Sequence, residues 1–134
     1  MAVGNVGREY PAELVHQISK SFTFSEATSG TVITVGTLPP CVVIDAFVAV
    51  TTAFNSGTSA VLDVGVSGDV DGLMSAVDMT TAGVIKDTAL AATDDHVFTS
   101  AAAVQCDAAI SGATTAGAAT VVVTYIPTNH TQTA

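Results

Sequence analysis

Bond-making chemistry in this chain would have to come from very few side chains. Its three histidines are scattered: His16 and His130 lie near the two ends, and His96 follows Asp94-Asp95. A carboxylate beside an imidazole can orient it as a base, but no Gly-x-Ser-x-Gly elbow, His-Glu-x-x-His pair or Cys-His signature accompanies it. Asp94, Asp95 and His96 are therefore read as a solvated turn, and no catalytic residue is assigned. Nucleotide chemistry has no support either, since the chain lacks a glycine-rich phosphate loop and holds one arginine, Arg8, to neutralise phosphate.

One pattern could suit a hard cation. Ser67-x-Asp69-x-Asp71-Gly72, followed by Asp78, spaces oxygen ligands like a calcium-binding loop. The first ligand is Ser instead of Asp, the last is Asp instead of Glu, and the flanks have strand character. A tight turn, with Asp side chains accepting backbone N–H groups and Gly at positive φ, accounts better for the segment. No metal or cofactor is expected. Cys41 and Cys106 each sit inside a Val-rich run and are read as buried free thiols, and Asn129-His130-Thr131 is an incidental glycosylation sequon.

The elements that must carry these residues are strands. Val and Thr together supply 40 of 134 residues, 20 each, while Leu occurs five times and Trp never. Branched side chains pack well on pleated surfaces and lose rotamer freedom in helices. Alternation places strands at Gln17–Phe24, Thr31–Gly36, Cys41–Thr51, Ala60–Val66, Leu73–Asp78, Val84–Asp87, His96–Thr99, Val104–Ile110 and Ala118–Ile126, with 67–72 as a turn. In the central run CVVIDAFVAVT, strict alternation would put Val42, Ile44, Ala46, Val48 and Val50 on one face and Val43, Asp45 and Phe47 on the other.

About eight short strands separated by Gly, Pro, Asn and Ser signals predict an all-β fold. The expected architecture is a single antiparallel β-sandwich, jelly-roll-like or alternatively immunoglobulin-like. It spans residues 17–127, with an extended N-terminal arm over 1–16 and a C-terminal tail over 128–134.

Charge narrows the partners. Three basic residues against twelve acidic ones give a net charge of −9, which repels nucleic acids and anionic membranes. No run approaches the roughly 18–20 apolar residues of a membrane-crossing helix, and the N-terminus has no secretory core, so synthesis in a cytoplasm is expected. The charged fraction is only 11%, less than half of the roughly 25% usual for soluble domains. With Arg8, Lys20 and Lys86 as its only cations, the chain has little with which to guard strand edges, so partners are expected to cover them.

Particular phrases carry a resemblance. Residues 46–58 (AFVAVTTAFNSGT), Leu62-Asp63-Val64-Gly65, Gly68-Asp69-Val70-Asp71-Gly72-Leu73 and the closing strand Ala119–Tyr125 resemble small virion proteins of tailed bacteriophages, the head decoration or cement proteins and related minor capsid proteins. The likeness lies in turns and core strands, so it transfers no active-site residue. It implies a structural protein on the capsid surface that bridges subunits of the phage major capsid protein and acts as a homo-oligomer, dimer or trimer. Under that implication the arm residues Arg8, Tyr10, Pro11, Leu14 and Val15 are the candidate capsid contacts, Tyr and Arg being typical interface anchors. Two alternatives stand beside it: a tail, neck or baseplate component, and a carbohydrate-binding sandwich module. Against the latter is an aromatic content of 5% without Trp.

Overall fold

The computed structural model describes residues 15–28, 30–86 and 96–128. Within them the chain forms no helix and nine strands: β1 (His16–Thr23), β2 (Val32–Leu38), β3 (Cys41–Thr52), β4 (Ser59–Val66), β5 (Asp69–Asp78), β6 (Gly83–Lys86), β7 (Val97–Phe98), β8 (Ala102–Ser111) and β9 (Ala118–Pro127). They build two antiparallel sheets. The first runs β1-β9-β3-β6, with β7 also on β3, and the second runs β2-β8-β4-β5. β6 and β7 lie end to end along β3, Gly83–Lys86 opposite Phe47–Val50 and Val97–Phe98 opposite Cys41–Val42. Together they fill one strand position, so eight positions follow the jelly-roll order. The immunoglobulin-like alternative does not fit, because there the first two strands share a sheet.

The core is the pair of facing inner surfaces. Val43, Ala46, Val48 and Val50 of β3 and Ala119, Val121 and Val123 of β9 meet Leu62 and Val64 of β4 and Val104, Cys106 and Ala108 of β8, all buried. Burying such small branched side chains stabilises by roughly 1.5–3 kcal/mol each at the upper end of area-based estimates. Phe54, beyond the end of β3, plugs one end of the sandwich against Phe22, their rings 6.2 Å apart.

Three sequence expectations need correction. Strict alternation fails in β3: the register shifts between Val43 and Asp45, leaving Ile44 as an extra residue opposite β9. A one-residue bulge reverses the faces, so Cys41 and Val43 point inward with Ala46, Val48 and Val50, while Val42 joins Phe47 outside. The expected turn over 67–72 is reduced to Ser67-Gly68, with Gly68 at φ +94°, and Asp69 already opens β5. His16, placed with the arm, is the first residue of β1, opposite Tyr125.

Candidate interaction surfaces

Among the described residues, those singled out for chemistry do not converge. His16 stacks on Tyr125 with ring centroids 5.7 Å apart. The expectation of a solvated turn fails at His96, which is buried at 3% exposure; its carbonyl accepts the Val43 N–H at 2.8 Å, which pins the chain beside β3 just before β7. Asp94, Asp95 and His130 lie outside the described residues, as do Arg8, Tyr10, Pro11 and Leu14 of the arm. Val15, the arm residue that is described, is 57% exposed.

The cation-like pattern is split along a hairpin. Ser67 and Asp69 flank the turn between β4 and β5, whereas Asp78 sits at the far end of β5 opposite Val61. Asp78 has its own occupation: its Oδ1 accepts the Thr80 N–H at 2.8 Å and hydroxyl at 2.6 Å, and these bonds hold its carboxyl below the usual range. No group of three or more His, Cys, Asp or Glu among the described residues could hold a metal ion. Cys41 and Cys106 are free and buried, one in each sheet, and burial pushes the Cys106 thiol up to about 12 and raises Cys41 as well.

A different asymmetry emerges from the registers. Directly opposed residues share a face, so the outer surface of the first sheet can be read row by row. One row is Val97, Val42 and Ile126; the next is Asp45, Thr124 and Gln17; then Lys86, Phe47, Val122 and Ser19; then Val84, Ala49, Thr120 and Ser21. Val84 and Val97 are 62% and 53% exposed. Two apolar bands therefore flank the polar row that holds Asp45, whose Oδ2 lies 3.5 Å from Lys86 Nζ. Towards β1 the face becomes hydroxylic, with Ser21 and Thr120 sharing a 2.8 Å hydrogen bond.

The second sheet is different in kind. Of the six described Asp residues, Asp63, Asp69, Asp71, Asp78 and Asp107 belong to its strands and only Asp45 to the first sheet. None of its four strands carries Lys or Arg. Asp63 and Asp107 are even direct cross-strand partners. The sandwich thus carries its apolar bands on the first sheet and gathers its acids on the second, which also exposes Val32 and Val70. Sequence reasoning gave an acidic chain but not this segregation, because strand order decides which acids share a surface.

A third feature lies at the rim. Phe24, Ala27 and Thr28 of the β1–β2 connection and Ile110, Gly112 and Thr114 near the β8–β9 connection line an open pocket of about 350 Å³. The Thr114 hydroxyl is buried and has no hydrogen-bond partner.

No family model matches the chain, and no curated protein matches it significantly. Two solved structures share its fold. One is a chain of the cyanophage Pam1 capsid asymmetric unit, with a TM-score of 0.70 and 19% identity over 91% of each chain. The other is a chain of the acid-stable capsid of Helicobacter pylori bacteriophage KHP30, with a TM-score of 0.63 and 15% identity over 84% of this chain and 86% of that one. The chain is therefore a jelly roll of a kind found in phage capsids.

Proposed function

We propose that this protein is a non-enzymatic structural virion protein, a cement or decoration protein that attaches to the outside of a phage head and bridges major capsid subunits. The observation that carries the reading is the unequal pair of sheet faces. An apolar surface of this kind on a small domain marks a site of association, and the described residues offer no converging catalytic set to explain it otherwise. The first sheet faces the shell, with Val42, Phe47, Val97, Val122 and Ile126 as its contact residues. The acidic second sheet faces solvent, where negative charge keeps particles apart. The arm residues Arg8, Tyr10, Pro11, Leu14 and Val15 extend the contact to a neighbouring capsid subunit. The capsid origin of the two structures that share the fold supports this reading, as does the sequence resemblance to decoration proteins.

The test is reconstitution on particles that lack the protein. Phe47→Asp and Val122→Asp are surface changes, so each variant should fold, yet shell occupancy should fall at least tenfold, because an unpaired charge would be desolvated on docking. Undiminished occupancy of both folded variants would reject the docking face. Copy number separates this role from a tail, neck or baseplate part: a lattice cement occurs in the hundreds per particle, a tail component in far smaller numbers.

A further inference from the structure

Among the described residues the two sheets end on four edge strands, and three of them are heavily guarded. β2 carries a register shift between Thr34 and Gly36 and runs into Pro39-Pro40. β5 has two register shifts, three Asp residues and Ala76 at positive φ. The edge formed by β6 and β7 is broken into pieces of four and two residues. Bulges, charge, proline and shortness are the usual devices that prevent strand addition. β1 has only one of them, a single charge. Its eight residues run in unbroken register along β9, without proline or acid. Its one charge, Lys20, lies on the inner side opposite Val121 and is 3.8 Å from its own Glu26.

We infer that β1 pairs antiparallel with β1 of a second copy, making an eight-position sheet from two first sheets. The sequence of the strand is self-complementary in the register centred on Ser19. On the outer face Val15 then opposes Thr23, Gln17 opposes Ser21 and Ser19 meets its own copy; on the inner face His16 opposes Phe22 and Ile18 opposes Lys20. Apart from Val15 against Thr23, this register matches polar with polar, aromatic with aromatic and the Lys stem with Ile. Moving the centre to Lys20 would set two ammonium groups face to face, and moving it to Ile18 would leave Thr23 unpaired. The two-fold axis lies perpendicular to the sheet, so both outer faces end up on one side, their apolar bands separated by the hydroxylic strip of the two β1 strands.

One strand pair covers less than the roughly 1,200 Å² of a stable interface, so the dimer is a weak one that populates with rising protein concentration.

The pairing is independent of capsid attachment and is tested on the full-length protein in solution. Sedimentation should show a dimer, and Ser19→Lys, which places like charges on the axis, should weaken it by about tenfold or more. Ser19→Cys should oxidise to a covalent dimer, since directly opposed positions lie within disulfide reach. Ser21→Cys, whose counterpart is Gln17, should not cross-link, and the buried native thiols give no background. A monomeric wild type, an oligomer unaffected by Ser19→Lys, or faster cross-linking of Ser21→Cys than of Ser19→Cys would overturn the inference. Should Ser19→Lys fail to fold, the two cysteine variants decide.

Discussion

Ala53-Phe54-Asn55 is legible in the sequence as the end of a strand and the start of a turn, but its work is done at long range. The Asn55 Oδ1 accepts the N–H groups of Thr115 and Ala116 at 2.9 and 3.0 Å, and its Nδ2 donates to the Thr115 hydroxyl at 2.9 Å. One side chain thus clamps the β3–β4 connection to the β8–β9 connection. Asn55→Ala should lower unfolding free energy by about 1–3 kcal/mol, read by denaturant titration, and Asn55→Asp should lose less because it keeps the two acceptor bonds. Ala76 is the opposite case, a residue in a costly conformation. Its φ of 53° falls in the left-handed region, where its N–H donates to Asp63 Oδ1 at 2.7 Å. Ala76→Gly relieves the Cβ clash at some cost in chain entropy and should stabilise by about 0.5–1 kcal/mol. The buried thiols should be inert to a disulfide-exchange reagent in the folded protein and reactive in denaturant. Cys106 holds its proton more tightly when folded, so its contribution to stability is complete below the ordinary thiol value of 9.0 and is lost as pH rises towards about 12. Thermal melts should show the loss in that window.

Strands here divide folding from recognition by parity. In β9, Val121 is buried against β3 and Lys20, whereas its neighbour Val122 lies between Phe47 and Ser19 on the outer face. Val121→Ala should cost about 2 kcal/mol of stability through lost burial and an unfilled cavity. Val122→Thr keeps β-branching and should change stability by less than ~0.5 kcal/mol while weakening shell attachment, so paired denaturation and occupancy measurements separate the two roles. Turn signals and alternation located most strands to within a residue or two. Alternation mis-assigned the first half of β3, because an extra residue at Ile44 reverses the faces and leaves no mark in the residue types. Asp and Gly are turn formers, so the residue types predict a longer turn after Val66 than the hairpin has; Gly65 is needed there because a side chain would overlap the Asp69 carbonyl.

At the scale of the whole molecule, the first strand pairs with the last, so the first sheet closes only when both ends of the sandwich are present. Removing residues 118–134 should abolish cooperative unfolding, since β9 lies between β1 and β3. Removing residues 1–14 stops short of β1 and should leave the melting transition in place while reducing capsid attachment. Calorimetry and particle occupancy together check both truncations. Composition and periodicity determined the all-β class, the acidic character and the absence of a recognisable catalytic motif, because these depend on residue types and short-range spacing alone. The tertiary structure decided which strands share a sheet, and with them the jelly-roll order, the gathering of acids on one face and of apolar rows on the other, and the least guarded edge at β1. Those properties belong to pairings between residues far apart in the chain, and local side-chain chemistry does not specify them.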